Sequence, residues 1–514
     1  MLDKLEFPTD SKTETQRVHE RYQKAQALRE KGINPYPYSF APTHTAKQIG
    51  EITLKPEQKS GTIVTLAGRI MTLRRMGKAA FSHIQDQTGK VQFYIRKDDV
   101  GENIFDIFTH CELGDIVGIT GEVFATKTGE ISVYVQELTL LTKALRDLPD
   151  KFHGLKDTEL RYRQRYVDLL TNTSVRDVFI KRSKIIQAIR EFMDQKGFIE
   201  VETPLLQTQY GGAAARPFST HINAWDMQMY LSISPELYLK RLLVGGFEKV
   251  YTICKNFRNE GVDHSHNPEF TMLEAYAAYW DYTDMSKLTE ELYEYVAKKV
   301  LQTTKVTVYV REKGQTKQVE IDLKAPWQKK TLAQALKDQT GIDILPMNLE
   351  QIQEACKKNA IEPMPTWGGC ALELFDELVE HTIVSPTHVI DRPREATPLC
   401  KEHRDDARLI EQNEPIAAGM ELANMYSELN EPVTQRFLLQ EQAQQLRGGD
   451  DEAHPMDDDF AKAVEYGMPP AGGLGIGIDR LVMLLLGQAA LRDVILFPTV
   501  KPVIKEEEKE KKTN

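Results

Sequence analysis

The chain has 514 residues, of which 41% are hydrophobic and 27% are charged, and its formal net charge is −11. The length suggests about two to four domains, and the composition is ordinary for a soluble globular protein. No stretch approaches the roughly 18 consecutive apolar residues of a membrane span, and the first residues resemble neither a signal peptide nor a transit peptide. We therefore expect a cytoplasmic protein without a membrane segment. The five cysteines are scattered without CxxC pairs, which argues against a disulfide framework and against a zinc site.

The first part of the chain is expected to hold a helical segment, residues 1–60, followed by a small β domain, residues 61–146. Residues 13–31 are good helix formers and are followed by glycine and proline stop signals. From residue 61 onward, short alternating runs predict five strands, with a helical stretch at 102–110 after the third. Five strands with a helix after the third are typical of an OB-fold β-barrel, a module that binds oligonucleotides. A different small barrel is the alternative.

The rest of the chain predicts an α+β domain. Residues 147–178 are polar and partly basic, and we expect a hinge there. From 179 to 504, helices and strands mix without regular βαβ alternation, which favours a mainly antiparallel sheet over a doubly wound parallel one. Within this domain, residues 330–384 are predicted to form a helical insertion. The charged residues 505–514 are expected to be a disordered tail.

The stretch FRNEGVDHSHNPEF (257–270) joins two strand-like segments although it is strongly charged. Side chains on a strand alternate between its faces, so Arg258 and Glu260 are predicted to share one face. Burying ionisable groups is costly unless they are paired or bound to something. The stretch is therefore either a self-contained Arg–Glu network or a binding surface. On the return strand, the residues predicted to share a face are Phe270, Met272, Glu274 and Tyr276.

A second alternating set lies in ELANMYSELN, where Asn424, Tyr426 and Glu428 are predicted to share one strand face. Glu414 and Glu421 flank AAG, which reads as a tight turn. Two carboxylates brought together across a hairpin suit Mg²⁺, which prefers oxygen ligands. Glu421 breaks the alternation, so this pairing requires a bend in the chain. An exposed acidic hairpin is the alternative.

A third segment, GGLGIGIDRLVMLLLG (472–487), has glycines that fit neither the dinucleotide-binding pattern nor a P-loop. They would instead permit close backbone packing of a strand, with Asp479 and Arg480 opening an apolar helix. An arginine at that junction can bind phosphate or stack over a base. The alternative is a packed glycine strand followed by a surface arginine.

Together these segments resemble the class II aminoacyl-tRNA synthetases and, within that class, the lysyl-tRNA synthetases. GFIEVETPLL (197–206) is similar to motif 1, the dimer interface of the family. The stretch at 257–270 is similar to motif 2, the ATP-binding hairpin, and GLGIGIDR (473–480) is similar to motif 3. The resemblance runs from about residue 13 to residue 503. Further strings match the lysine-specific members: GGAAARPF (211–218), SPELYLKRL (234–242) and KFHGLKDTELRYRQRYVDLL (151–170).

The resemblance implies activation of L-lysine by ATP to lysyl-adenylate and pyrophosphate, then transfer of the lysyl group to the 3′ end of tRNA(Lys) with release of AMP. Such chemistry depends on positioning and charge neutralisation and needs no nucleophilic side chain. The implied partners are ATP, Mg²⁺, L-lysine, tRNA(Lys) and a second copy of the chain bound through motif 1. The implied catalytic residues are Arg258, Glu260 and Arg480.

The resemblance also implies binding residues. Those for ATP are Arg258, Glu260, His266, Asn267, Phe270, Glu414, Glu421 and Arg480, with adenine between Phe270 and Arg480 and Mg²⁺ on Glu414 and Glu421. Those for lysine are Gly212 and Glu236 for the α-amino group, Arg258 and Asn424 for the carboxylate, and Glu274, Tyr276, Tyr426 and Glu428 around the side chain. Glu236 alone would also read as an ordinary acidic residue at a helix N-terminus.

In the family the barrel reads the anticodon, and Arg74, Phe81, Gln92 and Glu130 fall on matching positions. An aromatic ring suits base stacking, and amide and charged groups suit base edges. Each residue alone would read as an ordinary strand residue. The negative net charge does not exclude tRNA, because a polyanion responds to the local surface, and LRRMGK (73–78) carries three cations.

The chain departs from the family pattern at two positions and leaves rival interpretations open. Ser265 replaces an arginine common in bacterial members, and Tyr426 stands where phenylalanine is usual. Because no Lys-rich amino-terminal extension is present, we expect a bacterial-type enzyme. Aspartyl- and asparaginyl-tRNA synthetases share the motifs, but Glu274 and Glu428 favour a cationic amino acid. Two further rivals are a truncated relative that modifies an elongation factor and an inactive RNA-binding homologue.

Overall fold

The computed structural model describes residues 12–149, 155, 157–263, 266–312, 315–447 and 455–502. The chain divides into two compact units, Met1–Lys156 and Asp157–Asn514. The tail expected at 505–514 lies outside the described residues, as do His264 and Ser265. Among the described residues, no helix has the length and apolar character needed to cross a membrane.

The amino-terminal unit contains a closed barrel in which the strands follow the order β1-β2-β3-β5-β4. Its apolar alternates, such as Val64, Phe93 and Val133, form the barrel core. The described helices are α1 (Lys12–Glu30), α2 (Ala46–Gly50) and α3 (Lys97–His110). The strands are β1 (Lys59–Met76), β2 (Ala79–Gln85), β3 (Lys90–Arg96), β4 (Ile116–Ala125) and β5 (Ile131–Thr142). The predicted OB-fold barrel, with its helix after the third strand, is confirmed.

Two local features of this unit differ from the simplest sequence expectation. Helix α3 begins at Lys97, directly after β3, and contains Gly101 at a φ of 80°, so the predicted helix at 102–110 is only its second part. Helix α1 packs on the barrel through Arg21, whose guanidinium donates to the carbonyl of Leu113 (3.1 Å) and pairs with Asp147 (2.5 Å).

The carboxy-terminal unit mixes helices and strands. Its helices are α4 (Thr158–Arg163), α5 (Arg165–Thr171), α6 (Thr173–Gln195), α7 (Glu236–Val244), α8 (Tyr282–Leu301), α9 (Leu332–Thr340), α10 (Leu349–Lys358), α11 (Trp367–Leu378), α12 (Pro432–Arg447), α13 (Asp458–Glu465), α14 (Ile478–Leu485) and α15 (Leu491–Val494). Its strands are β6 (Ile199–Glu200), β7 (Leu206–Gln207), β8 (Ser219–Ile222), β9 (Met227–Leu231), β10 (Lys249–Phe257), β11 (Glu269–Ala278), β12 (Lys305–Glu312), β13 (Gln315–Asp322), β14 (Gln328–Thr331), β15 (Thr387–Pro393), β16 (Leu409–Ala417), β17 (Met420–Glu421), β18 (Asn424–Ser427) and β19 (Ala471–Gly477).

In the described part of the chain, nine of these strands form one sheet in the order β14-β15-β16-β18-β19-β11-β10-β6, with β17 paired to β16. The pairings are antiparallel except for β10 with β6 and β14 with β15. The predicted α+β fold with a mainly antiparallel sheet is confirmed.

Alternation along β11 separates the core from the functional face of the sheet. Leu273, Ala275 and Ala277 are fully buried in the main hydrophobic core with residues of α6, α8 and α14. A strand presents successive side chains to opposite faces. The even-numbered residues of β11 therefore face away from this core, and four of them, Phe270, Met272, Glu274 and Tyr276, line the cavity described below.

Two expected segments are helical where the structure describes them. The predicted insertion at 330–384 holds α9, α10 and α11, which share their own apolar core. The segment expected to be a hinge is helical from Thr158 onward. Its Arg165 is 1% exposed, pairs with Asp168 (3.0 Å) and donates to backbone carbonyls near the carboxy terminus. This polar, basic segment is thus anchored by a buried arginine whose hydrogen-bond donors all have partners nearby. The exact domain boundaries stay predictions.

Candidate active site

One cavity of about 380 Å³ opens on the face of the sheet formed by β11, β16, β18 and β19. The residues predicted for ATP and lysine come from segments far apart in sequence, and the sheet brings all but one of them to this cavity. Its lining includes Gly212, Glu236, Arg258, Glu260, His266, Asn267, Phe270, Glu274, Tyr276, Glu414, Glu421, Asn424, Tyr426 and Arg480.

The glycines of β19 make room for this cavity. Leu474 and Ile476 point into the main core, so Gly473 and Gly475 face the cavity side of the strand. A Cβ atom at Gly473 would lie 1.8 Å from Glu428 Oε1 and 2.7 Å from Tyr276 Cε1. A side chain at Gly473 would therefore collide with the side chains of Glu428 and Tyr276, which pass over the strand at this position.

Arg258 lines the cavity and lies just beyond the end of β10. The guanidinium lies 5.2 Å from the centre of the Phe270 ring. Its Nε is buried and has no hydrogen-bond acceptor among the described residues. Burial lowers the pKa of Arg258, while the carboxylates of Glu260, Glu274 and Glu421 oppose this shift. A buried donor without an acceptor suits an anionic ligand.

The prediction that Arg258 and Glu260 share one face of a strand is wrong, because β10 ends at Phe257. The Arg258 amide still donates to the Pro268 carbonyl across the hairpin (3.0 Å), but the Asn259 amide turns to the Arg216 carbonyl (2.8 Å). Pairing with a separate loop therefore replaces the strand ladder at this point.

The remaining predicted ATP residues have partners of their own. Arg480 opens α14 and pairs with the Glu421 carboxylate (3.0 Å). The Asn267 side chain donates to the Glu269 carbonyl (2.5 Å). His266 contacts the Asp263 carboxylate (3.0 Å). Phe270 and Arg480 both line the cavity, as an adenine site between them requires.

The bend needed to bring Glu421 beside Glu414 is present. β16 pairs with β17 so that Ile416 lies opposite Glu421, and it pairs with β18 so that Gln412 lies opposite Tyr426. The two registers differ by one residue. Directly opposed residues share a face, so this shift places an odd-numbered glutamate on the side of the even-numbered residues. Both carboxylates line the cavity.

The two glutamates fit a hard divalent cation. Burial raises the pKa of Glu414, Arg392 opposes this, and Glu421 raises it further. Arg392 donates to Glu414 Oε2 (2.7 Å) and Gln412 donates to Oε1 (3.0 Å). Since the described residues hold no group of three or more metal-ligating side chains, a Mg²⁺ ion here would complete its shell with phosphate and water oxygens.

A second set of lining residues is acidic and includes Glu236 and Glu274. Glu274 is 4% exposed and accepts hydrogen bonds from the Ser234 hydroxyl (3.0 Å) and the Tyr276 hydroxyl (3.3 Å). Burial, followed by the nearby charge of Glu236, raises the pKa of Glu274 to about 8. An uncompensated carboxylate beside an aromatic ring suits a cationic ligand.

Glu236 begins α7 and lies beside Gly212. Its Oε2 accepts a hydrogen bond from the Tyr426 hydroxyl (2.8 Å), so the hydroxyl that distinguishes this chain from the usual phenylalanine has a defined partner. Gly212 has a φ of 88°, and a Cβ there would lie 3.0 Å from Glu236 Cβ. The two residues predicted for the α-amino group are therefore neighbours.

Glu428 is the predicted site residue that does not line the cavity directly. It is 1% exposed and forms an ion pair with the fully buried Lys240 of α7. Burial raises the pKa of Glu428, and Lys240 opposes this. Its Oε1 lies beside Gly473, which does line the cavity, so contact of Glu428 with lysine stays a prediction.

Sequence reasoning missed Lys240, Arg392 and Arg182. Arg182 pairs with Asp479 (2.6 Å), which also accepts the Thr271 amide (2.8 Å) and so ties motif 3 to β11. Lys240 follows Glu236 by four residues, a spacing that usually marks a solvated helix pair. The apolar residues around it were the available signal for burial.

The four predicted anticodon residues lie on one region of the barrel. Arg74 and Phe81 are paired across β1 and β2, and the Phe81 ring lies 4.7 Å from that of Tyr94. The Gln92 amide donates to the Glu130 carboxylate (2.9 Å). An exposed cation, an aromatic pair and polar groups side by side suit single-stranded bases.

Comparison with known proteins agrees with both units. The family described as tRNA synthetases class II (D, K and N) matches residues 157–501, and the OB-fold nucleic acid binding domain matches residues 64–141. A lysine–tRNA ligase of Pelotomaculum thermopropionicum is 50% identical over 487 residues, covering 94% of each chain. Those of Carboxydothermus hydrogenoformans and Enterococcus faecalis are 50% and 48% identical, covering 94% of this chain and 98% and 96% of their own.

The family match covers residues 157–501, which include the residues that line the cavity, and the segments 257–270 and 473–480 both contribute to that lining. The chain belongs to the class II tRNA synthetases and, within them, to the lysine–tRNA ligase family.

Proposed function

We propose that the cavity activates L-lysine with ATP and that the enzyme then transfers the lysyl group to the 3′ end of tRNA(Lys). The observation that carries this proposal is the combination of charges in one cavity. Arg258 and Arg480 line it together with Glu414 and Glu421, and Glu236 and Glu274 line it together with the tyrosines that donate to them, Tyr426 and Tyr276. Family membership supports an ATP-dependent lysine–tRNA ligase rather than the aspartate or asparagine enzymes, whose substrates lack a cationic side chain.

Lysine would lie with its side chain toward Glu274, Tyr276 and Glu428. Its α-amino group would bind Gly212 and Glu236, and Asn424 and Arg258 would hold its carboxylate. Leucine or methionine would leave buried carboxylates without a cation, which gives strong discrimination without an editing site. The Ser234 and Tyr276 hydrogen bonds to Glu274 support this orientation because they fix the carboxylate.

ATP would bind with adenine between Phe270 and Arg480, and Glu260, His266 and Asn267 would contact it. The lysine carboxylate oxygen attacks the α-phosphorus, and the bond to the β-phosphate oxygen breaks to release pyrophosphate. Arg258 would neutralise charge at the reacting groups, and Arg480 would reach the γ-phosphate. The enzyme thus contributes positioning and electrostatic stabilisation.

Glu414 and Glu421 would hold Mg²⁺, and Arg392 and Gln412 would keep the Glu414 carboxylate in place. The ion neutralises charge on the triphosphate when bound. In the second step, a terminal ribose hydroxyl of tRNA attacks the carbonyl carbon of lysyl-adenylate, and AMP leaves.

The active protein is proposed to be a homodimer formed through the motif 1 segment (197–206). This proposal is supported by exposed apolar side chains in that segment, because Ile199 is 51%, Leu205 39% and Leu206 53% exposed. Exposed apolar clusters are typical of protein interfaces. The expected cytoplasmic location stays a prediction.

ATP–pyrophosphate exchange with each of the twenty amino acids tests the proposed function. We expect strong exchange with L-lysine alone, because the buried carboxylates of the cavity require an ammonium group on the side chain. Exchange with aspartate or asparagine and none with lysine would overturn the substrate. Absence of exchange with every amino acid would favour an inactive RNA-binding homologue.

Phe81→Ala is expected to weaken charging of tRNA(Lys) about 5- to 100-fold in kcat/KM while leaving lysine-dependent exchange unchanged, because one stacked base is worth about 1–3 kcal/mol. Phe81 belongs to the amino-terminal unit, whereas the cavity residues belong to the carboxy-terminal unit. Phe93→Leu, in the barrel core, is a matched control for barrel packing. Equal loss in charging and exchange would contradict anticodon binding by Phe81.

A further inference from the structure

Lys240 places a permanent cation beside the proposed lysine site. Its side chain is 0% exposed, its ammonium lies 2.7 Å from Glu236 Oε1, and it also pairs with Glu428 Oε2. The ammonium lies 5.7 Å from the centre of the Tyr426 ring. Burying an ammonium group is costly unless it is paired. The two carboxylates therefore hold Lys240, and Lys240 in turn holds both carboxylates.

When the three carboxylates near this cation are all ionised, one ammonium group does not balance their charge. Glu236, Glu274 and Glu428 form one buried group of three carboxylates whose charges influence one another. Lys240 compensates one of them, which leaves two. L-lysine carries two ammonium groups, and its carboxylate belongs with Arg258. The other titratable groups that face these carboxylates are Arg258, Tyr276, Cys254, Cys400 and Tyr426.

We propose that Lys240 is a positioning residue that keeps Glu236 and Glu428 charged and oriented, so that the pocket offers two uncompensated carboxylates to an amino acid with two ammonium groups. This inference rests on the proposed lysine site. Glu428 Oε1 supports it, because this atom is buried and accepts no hydrogen bond from the described residues. With Oε2 on Lys240, Oε1 lies beside Gly473 of the cavity lining and remains for the substrate.

Without Lys240, three buried carboxylates would face one another, with Arg258 left as the cation near Glu274. Like charges close together in a buried site favour uptake of protons. A bound proton competes with the ammonium group of lysine for the same oxygen. The affinity for lysine should then fall, and it should fall further as the pH is lowered.

Lys240→Met tests this in exchange assays between pH 6 and 9. We expect the KM for lysine to rise about tenfold or more at pH 7, and the defect to grow by up to about tenfold for each pH unit below that. The kcat and the KM for ATP should stay within about twofold. Isothermal titration with L-lysine in two buffers should show more protons released per lysine bound than in the wild type. Lys249→Met removes a partly buried lysine outside the cavity and serves as the control.

If Lys240→Met binds lysine as the wild type does and has the same pH profile, the inference is overturned. Removing one partner of a buried pair can unfold a protein, so the double variant Lys240→Met with Glu428→Gln removes both. It should bind lysine at least about tenfold more weakly than the wild type, without the added pH dependence. Wild-type affinity in this variant, or failure of both variants to fold at saturating lysine, would overturn the inference as well.

Glu274→Gln, measured beside these variants, separates this inference from the proposed function. If Glu274→Gln weakens lysine binding and Lys240→Met does not, Lys240 has no positioning role but the lysine site stands. If neither substitution affects lysine binding, the lysine site itself is wrong.

Discussion

Arg258→Ala is expected to lower lysine-dependent ATP–pyrophosphate exchange by about 10³-fold, because the reaction loses the cation proposed to hold both the lysine carboxylate and the α-phosphate. The loss should fall mainly on kcat, since the negative charge on the α-phosphate oxygens near Arg258 grows as the new bond forms. Pre-steady-state measurement of lysyl-adenylate formation gives this rate directly.

The matched control for Arg258→Ala is Arg436→Ala. Arg436 lies on α12 and pairs with Glu465 and Asp458 outside the cavity, so its loss should leave exchange unchanged. Both variants should sediment as the wild type does, because neither residue lies in motif 1. Exchange by Arg258→Ala within about threefold of the wild type would remove this residue from the reaction.

Most strands of the fold could be predicted from the sequence, because alternation of apolar and polar residues indicates which face of a strand is buried. Leu273 and Ala275 alternate with Met272 and Glu274, and the structure keeps that division. The strand end at Phe257 could not be foreseen, because it depends on the Asn259 amide pairing with a loop some forty residues earlier in the chain.

The candidate site shows the same limit. Glu421 reaches Glu414 through a one-residue register shift, and periodicity alone cannot locate such a bulge. The spacing of Glu236 and Lys240 is that of an ordinary surface pair on a helix, but Lys240 is buried and also pairs with Glu428. Tertiary packing determines both features. The resemblance to a family could therefore predict which carboxylates belong to the site, but it could not predict which residues pair with them.

Glu274→Gln is expected to raise the KM for lysine about 100-fold and leave the KM for ATP unchanged, because a neutral amide replaces the carboxylate that meets the substrate ammonium in a buried site. Gln207→Ala offers a control, since Gln207 is a buried polar residue that donates to the Pro204 carbonyl outside the cavity. Lysine affinity like that of the wild type would contradict the role of Glu274.

The wild type should also bind lysine more tightly as the pH rises toward 8. Burial raises the pKa of Glu274 to about 8 in the lysine-free protein, so at neutral pH lysine must displace a proton from this carboxyl group. The apparent affinity should level off above that pH, and Glu274→Gln should lack this dependence. Isothermal titration from pH 6 to 9 measures both curves.

The same shift predicts that Glu274 reduces the stability of the lysine-free protein. A carboxyl group with a raised pKa in the folded state contributes stability that is fully present below its unfolded pKa, near 4.5, and is lost as the pH rises through about 8. Glutamine behaves as a permanently neutral group, so Glu274→Gln should gain about 1–3 kcal/mol over the wild type at pH 8 and almost nothing at pH 5. Urea unfolding at the two pH values measures this difference, and equal stabilities at pH 8 would contradict it. A variant that is more stable but binds lysine poorly would mean that the Glu274 carboxyl group is needed to bind lysine although it lowers the stability of the lysine-free protein.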